Sequence, residues 1–413
     1  MELFKVDTIE EAKEKLKEAL LGFGEGFFKK ETVKSAQSAG RVLAGDILSE
    51  IDVPGFNRST VDGYALKSSD TRGASEAVPV FLKTAGEVKM GEKPDFTIKS
   101  GLCAYVPTGG MLPEGADSVA MIEYCEKFGE SSVAVNETLS PGRNTVLKGE
   151  DIRRGDIFLK KGRVITPRDM GAMASAGVGS TEVFSPIKIG VISTGDELTD
   201  PSAQLECGKI YDINTYSLIS LAASRGFEPV YKAVVPDERE EIVKAVGQAM
   251  ESCEVVVLSG GSSQGEKDMT ADIIDSLCNP GVFTHGLAIK PGKPTILGYD
   301  GEKKRILAGL PGHPVAAMMV FELVICSVFD ELTGRSPIPC VFAEMAENYG
   351  CDQGKANCIP LILEEGARGY KALPIPGKSS LMRTLTRADG YTLTDRNKEG
   401  LNRGEIVKVH LFR

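Results

Sequence analysis

Between Ser185 and Phe329 short apolar runs alternate with helical patterns, and this alternation limits the possible folds more than any other feature of the chain. Ile187 to Ile192, Pro229 to Val235, Glu254 to Leu258 and Ile306 to Ala308 read as strands. Tyr216 to Ser224, Glu238 to Met250, Thr270 to Leu277 and Val315 to Phe329 read as helices. Strands and helices of these lengths in strict succession imply a mostly parallel sheet with helices on both faces. In such a sheet ligands bind at the carboxyl ends of the strands, where loops converge and helix N-termini present unpaired N–H groups.

The remainder of the chain has a different grain. With 413 residues there is room for about three domains. Thr8-Ile9-Glu10-Glu11 has the spacing of a capping box, and Ile9, Ala12, Leu16, Ala19 and Leu20 follow at helical intervals. A second helix is expected from Val33 to Leu48, broken near Gly40. After the turn-rich segment IDVPGFNRSTVDGYAL, alternation in Val78 to Leu82, Cys103 to Val106, Val119 to Ile122 and Val133 to Val135 predicts a compact, inserted β-rich module. Beyond Asp151 a strand, a tight turn and an Ala/Gly-rich helix are expected to pack back on the N-terminal helices. After Gly334-Arg335-Ser336-Pro337 the chain becomes strand-like again, as a small β-barrel or sandwich would be.

Composition excludes several classes of function. There are 48 Lys and Arg against 58 Asp and Glu, a net charge of −10, with no basic block to bind nucleic acid or an anionic membrane. Apolar runs such as Val315 to Phe329 are too short for a bilayer, and the N-terminus lacks a signal-peptide pattern. A cytoplasmic protein is expected. Nine scattered cysteines form no C-x-x-C pair, and there are only three histidines, His285, His313 and His410. Buried thiols in a reducing compartment are the simplest reading, and any metal would be a hard cation on carboxylates, magnesium rather than zinc.

Four loops carry the chemistry. The first strand ends in Ser193-Thr194-Gly195-Asp196-Glu197, a hydroxyl, a glycine and two carboxylates that could equally cap a turn. The second ends in Val235-Pro236-Asp237, where Asp237 could be a helix N-cap. The third enters Ser259-Gly260-Gly261-Ser262-Ser263-Gln264-Gly265-Glu266-Lys267-Asp268, a backbone nest for an anion with a carboxylate in reach of a bound cation. It lacks the G-K-[ST] ending of a Walker loop, which with the absence of a kinase signature set disfavours a nucleotide-dependent kinase. The fourth, Gly309-Leu310-Pro311-Gly312-His313-Pro314, is either a rigid turn or a preorganised anion pocket. Upstream of it, Lys290-Pro291-Gly292-Lys293-Pro294 sets two ammonium groups on a proline-stiffened loop. Together these loops fit a phosphorylated ligand with Mg²⁺.

At this point the residues resemble a known family over nearly the whole chain. Phe56-Asn57-Arg58-Ser59-Thr60-Val61-Asp62-Gly63-Tyr64-Ala65, Pro107-Thr108-Gly109-Gly110, Gly149-Glu150-Asp151-Ile152 and the four loops, in this order and spacing, resemble molybdopterin molybdenumtransferases, the MoeA family that includes the gephyrin E-domain. The resemblance implies a multidomain α/β plus β subunit. Residues 1–50 with 145–182 would form a helical linker domain, 51–144 the inserted β-rich domain, 183–333 a three-layer α/β molybdopterin-binding domain and 334–413 a C-terminal β-barrel. It further implies an elongated homodimer whose active site lies between the α/β domain of one subunit and the inserted module of the other. The implied reaction joins adenylylated molybdopterin and molybdate into molybdenum cofactor and AMP. A molybdopterin adenylyltransferase and recipient molybdoenzymes would be further partners.

Carried over by motif, Asp62, Asp151, Glu197, Asp237 and Asp268 would be catalytic, with Glu197, Asp237 and Asp268 serving the cation. Thr108, Thr194, Gly195, Ser259, Gly260, Gly261, Ser263, Gly265, Lys290, Lys293, Pro311, Gly312, Pro314, Ser379 and Ser380 would line the substrate. Asp62 in its Asp-Gly pair and Asp151 after Gly149 also have plain turn-forming readings. Three departures from the family pattern are His313 in place of Asn, Pro360 in place of Arg and Gly286 in place of a basic residue, so a less basic pocket is expected, or a tungstate-preferring paralogue. A carrier that binds molybdopterin or molybdenum cofactor without inserting metal is the competing reading, and the full set of carboxylates argues against it.

Overall fold

The structure, a computed structural model, describes residues 6–24, 26–129, 131–260, 267–366 and 369–412, with the backbone alone for 267 and 268. Its central sheet holds six strands, β1 (Lys188–Thr194), β2 (Glu228–Val235), β3 (Val255–Ser259), β4 (Pro280–His285), β5 (Ile296–Asp300) and β6 (Arg305–Leu310). They lie in the order β2-β1-β3-β6-β5-β4. The first four run parallel, as the alternating pattern requires, while β5 and β4 close the sheet with antiparallel pairings.

Both faces of this sheet are covered, which is why β3 reads Val-Val-Val-Leu-Ser and is buried throughout. On one face Leu16 and Leu20 of the helix Ile9–Gly22 meet Val257, Ala308, Val320 and Phe321. On the other Ile242, Val246, Ile273 and Ile274 pack on Ile192, Val256 and Leu307. The first helix starts at the expected capping box, with the Thr8 hydroxyl and the Glu11 carboxylate each accepting from the other's backbone N–H. The last helical stretch, Pro314–Val320 and Ser327–Thr333, is interrupted by π-helical turns at Phe321–Cys326.

Within the same core lies a buried charge cluster of Arg225, Glu322, Asp330 and Arg335, each at most 9% exposed. Arg225 pairs with Glu322 at 3.5 Å and also with Asp330, while Arg335 reaches Asp330 at 3.8 Å. Removing one member leaves the others charged and desolvated. Asp330→Ala is therefore expected to cost about 3–5 kcal/mol in urea unfolding; a loss too small to measure would contradict the reading.

The helix expected from Val33 to Leu48 does not form. Lys30–Lys34 is a strand antiparallel to Ser180–Phe184, Ser35–Gln37 is a single 3-10 turn, and Ile47–Leu48 pairs with Ile157–Leu159. Val33, Leu43 and Ile47 still face one core, shared with Leu159, Ile165, Met173 and Val183. Long-range strand pairing overrides the local helical spacing here. The helix Pro167–Ser175 packs back on this segment as expected, through Met170 and Met173.

The inserted module is a six-stranded sheet ordered Ser118–Met121, Gly63–Leu66, Leu102–Val106, Val80–Glu87, Ser132–Val135 and Cys125–Phe128. Gly63 is required by close backbone approach, since a Cβ there would lie 1.9 Å from the Ala120 carbonyl oxygen. At the C-terminus five strands, Cys340–Met345, Ala356–Gly366, Gly369–Pro374, Gly390–Leu393 and Ile406–Leu411, pair in a closed ring, so the domain is a barrel. Ile289–Lys290 adds to it in parallel alongside Ala356–Asn357, which ties the lysine loop of the α/β domain to the barrel. Among the described residues no helix is long and apolar enough to cross a membrane.

Candidate active site

Strand register sets the acidic and hydroxyl groups in a line. Val235 lies beside Thr194, Ser193 beside Ser259, and Ser259 beside Leu310, so the loops after β2, β1, β3 and β6 leave the sheet along one edge. The loops after β1 and β2 are joined, with the Gly195 N–H donating to the Val235 carbonyl at 3.2 Å and the Asp237 N–H to Asp196 Oδ1 at 3.3 Å. Glu197 is exposed and its carboxylate folds back over Gly195, 2.8 Å from where a Cβ would be. The helix Arg239–Ser252 begins after Glu238, so Asp237 is not its cap residue. Thr194 is 6% exposed and its hydroxyl makes no hydrogen bond among the described residues. Gly260 has φ +126°, and a Cβ there would lie 2.2 Å from the Thr194 carbonyl oxygen, so only glycine fits this turn. Gly261, Ser263, Gly265 and the side chain of Asp268 lie outside the described residues.

A hard dication fits what is present. Glu197 and Asp237 supply carboxylates on two joined loops, and Mg²⁺ is commonly held by one or two carboxylates together with substrate phosphate. Among the described residues no group of three acids, histidines or cysteines comes together. Phosphate or Asp268 would have to complete the set.

Further along the edge, a pocket of about 870 Å³ opens between the α/β domain and the barrel. Lys290, Lys293, Pro311 and His313 line one side, and Ser379, Ser380 and Pro360 the other. Pro314 is buried at the start of the following helix. The strand pairing of Ile289–Lys290 with the barrel positions the first lysine, and His313 Nδ1 sits 2.8 Å from Ser379 Oγ across the domain boundary. Two more lysines that the sequence reading did not single out, Lys355 and Lys378, also line it, with Asp352 as the sole carboxylate lining it among the described residues. Lys290 donates to Asp352 at 3.0 Å and thereby holds that carboxyl below its usual range. Four ammonium groups against one carboxylate give the pocket a positive field inside an acidic protein.

Asp62 and Thr108 meet on the inserted module, where the exposed Asp62 carboxylate accepts the Thr108 N–H at 2.8 Å. Asp151 is exposed in the loop that follows the inserted module and donates its N–H to the Val53 carbonyl, while Glu150 rather than Asp151 closes the turn by accepting from Leu147. None of these residues lines the pocket on the α/β domain.

A polar network at the same edge escaped the sequence reading. Asp212 Oδ1 accepts from the Ser193 hydroxyl at 3.0 Å and from the Thr215 N–H at 3.1 Å. Asn214 Nδ2 donates to Ser259 Oγ and to the Gly312 carbonyl, each at 2.7 Å. The available signal was the pair of short polar residues in Tyr211-Asp212-Ile213-Asn214, which reads as an ordinary helix start.

Comparison with known proteins agrees with this geometry. The MoeA N-terminal region (domain I and II) matches residues 7–177, a probable molybdopterin binding domain residues 190–331, and the MoeA C-terminal region (domain IV) residues 343–412. A molybdopterin molybdenumtransferase of Haemophilus influenzae is 32% identical over 388 residues, covering 92% of this chain and 94% of that protein. The chain belongs to the MoeA family. A Bacillus subtilis molybdopterin molybdenumtransferase is 29% identical over 389 residues, 93% of this chain and 90% of its own. The crystal structure of a molybdopterin biosynthesis MoeA protein from Pyrococcus horikosii superimposes with a TM-score of 0.79 at 35% identity, over 99% of this chain and 100% of that one.

Within this MoeA fold the three departures have separate settings. His313 is exposed and bonds the barrel loop, and Pro360 is buried in the pocket wall. Gly286 has φ +95° and joins Asp7 to Thr295 through its backbone, a conformation that favours glycine. Lys355 and Lys378 keep the pocket cationic without a basic residue at 286 or 360.

Proposed function

We propose that this MoeA-family protein is a molybdopterin molybdenumtransferase that combines adenylylated molybdopterin with molybdate, releasing AMP and forming molybdenum cofactor. The observation that carries the reading is the division of charge along one sheet edge: carboxylates on the loops after β1 and β2, four lysines in the pocket beyond β6. Three strand spacings separate these ends, about 14 Å, which suits an extended, doubly anionic ligand. Glu197, Asp237 and Asp268 would hold Mg²⁺, which when bound neutralises charge developing on the pyrophosphate oxygens. Lys290 and Lys293 attract molybdate and orient its oxygens, and Ser379 and Ser380 close over it from the barrel.

The reading includes a homodimer. Asp62, Thr108 and Asp151 do not line the pocket of their own chain, and β2 is an edge strand with Val230 and Val234 exposed, Val230 sharing a surface depression with the exposed Tyr216. A second copy covering that face would bury this apolar edge and bring the acids of its inserted module to the site. The test is complementation: mixing inactive Asp62→Ala and Asp237→Ala chains should restore part of the activity, since one of the mixed sites keeps both acids. No recovery after verified subunit exchange would place both acids in one chain's site.

Asp352 tunes the pocket in this reading. Above its lowered pKa it is charged and holds Lys290; as pH falls through that value it protonates, the pair is lost and Lys290 is released. Asp352→Asn is expected to lower the molybdate KM severalfold at neutral pH, with the advantage over wild type shrinking as the assay is made acidic. A raised KM would show that Asp352 instead holds Lys290 in its productive place.

A further inference from the structure

We propose that Asn214 is a positioning residue that turns the Gly312 and His313 backbone N–H groups into a cradle for a tetrahedral oxyanion; the inference rests on the reading of the lysine pocket given above. Asn214 is 8% exposed and stands at the start of the helix Asn214–Ser224, behind the carboxyl edge of the sheet. Both protons of its amide are committed, one to Ser259 Oγ and one to the Gly312 carbonyl, each at 2.7 Å. Ser259 in turn donates to the Pro311 carbonyl at 3.3 Å. Two successive carbonyls, of Pro311 and Gly312, are thus held inward by a relay that begins at Asn214.

Peptide planarity fixes the consequence. Neither the Pro311–Gly312 nor the Gly312–His313 bond is cis. In a trans peptide the N–H points opposite to the carbonyl of the same plane. Holding the two carbonyls toward Asn214 and Ser259 therefore aims the Gly312 and His313 N–H groups the other way, and the residues on either side of Gly312, Pro311 and His313, line the pocket with Lys290 and Lys293. Neither N–H donates a hydrogen bond among the described residues. Paired backbone donors beside lysines match the charge and the acceptor-rich surface of molybdate, tungstate or a phosphate group. Val315 N–H donates to the Ser379 carbonyl at 3.2 Å, so the barrel loop is docked on the adjoining residue and would cover an anion held there.

The relay explains why an asparagine is used. Aspartate has the same shape but no donor, and would set a negative charge against the Gly312 carbonyl oxygen while offering the Ser259 hydroxyl an acceptor in place of the Pro311 carbonyl. Asn214→Asp should therefore release the loop without altering packing volume.

The experiment measures binding of tungstate, molybdate and inorganic phosphate to the full-length protein by calorimetry, and in parallel the KM for molybdate and kcat of AMP release. Asn214→Asp is expected to weaken oxyanion binding and raise the molybdate KM about tenfold, with kcat at saturating molybdate changed far less. Should that variant not fold, position 313 isolates one donor. His313 has φ −73°, compatible with proline. His313→Pro removes the amide proton and His313→Ala keeps it, so Pro should bind oxyanion severalfold less well than Ala. Weakening for tungstate and molybdate but not phosphate assigns the cradle to the free oxyanion; weakening for phosphate as well extends it to the substrate's phosphate. Equal binding by the Pro and Ala variants, or an unchanged molybdate KM in Asn214→Asp, would overturn the proposal. Wild-type protein that releases AMP but whose Asn214 variants do so with unaltered kinetics sinks only the cradle, whereas wild-type protein that releases no AMP sinks the parent reading.

Discussion

Replacing Asp237 with Ala is expected to slow AMP release by about a hundredfold or more while leaving the fold and the binding of molybdate intact. The reason lies in position. Asp237 sits where the loop after β2 is tied to the loop after β1 through Asp196, and it is not the cap residue of the helix that follows. The tie to Asp196 is made by the Asp237 backbone N–H, which alanine retains. If Asp237 serves the cation as proposed above, its loss removes charge stabilisation from the proposed pyrophosphate cleavage step. Thermal unfolding and tungstate calorimetry would accompany the assay. A variant with wild-type AMP release would remove Asp237 from the site, and one that unfolds at growth temperature would make its role structural. Asp237→Glu should recover part of the rate if the carboxylate serves a flexible cation.

The second large effect is expected at the other end of the sheet edge. Changing Lys290 and Lys293 together to Ala should raise the molybdate KM by about two orders of magnitude, since two charge-assisted contacts of about 1.5 kcal/mol each are removed. The barrel should stay attached, because Ile289–Lys290 pairs with Ala356–Asn357 through backbone groups that Ala retains. The wild-type KM should rise with ionic strength and the double variant's should respond less, as the screened charges are gone. A double variant with normal KM but slow AMP release would move these lysines from oxyanion to pyrophosphate. Lys355 and Lys378, on the barrel side, are expected to give smaller effects individually.

The sequence made the α/β domain legible because its central strands β1, β3 and β6 are buried on both faces and so appear as continuous apolar runs between amphipathic helices. Val255 to Ser259 is the plainest case. The first helix was equally readable, since its capping box is local. The stretch from Val33 to Leu48 was not, because its structure depends on pairing with Ser180–Phe184 and Ile157–Leu159, more than a hundred residues away. Strands β4 and β5 were missed for a related reason: they are antiparallel additions at the edge, interrupted by proline and glycine and without the helix that marks the parallel strands.

For the site the boundary falls between residues that announce their chemistry and residues that act through others. Glycines, lysines and carboxylates on loops after apolar strands could be found by position in the alternating pattern. Lys355 and Lys378 could not, because barrel closure and the docking of Ile289–Lys290 bring them to the pocket. Asn214 looks like any residue at the start of a helix until its two hydrogen bonds to distant loops are seen. Asp62 illustrates the opposite limit: its carboxylate holds the Thr108 amide 46 residues away, a contact that the local Asp-Gly turn reading does not contain.

The most direct test is to incubate the purified full-length protein with adenylylated molybdopterin, Mg²⁺ and molybdate, and to quantify AMP against a control lacking molybdate. The expected result is molybdate-dependent AMP release that is lost in Asp237→Ala and shifted to high molybdate in the Lys290/Lys293 double variant. Folded protein that binds adenylylated molybdopterin yet releases no AMP above background would contradict the assignment and leave a carrier in its place.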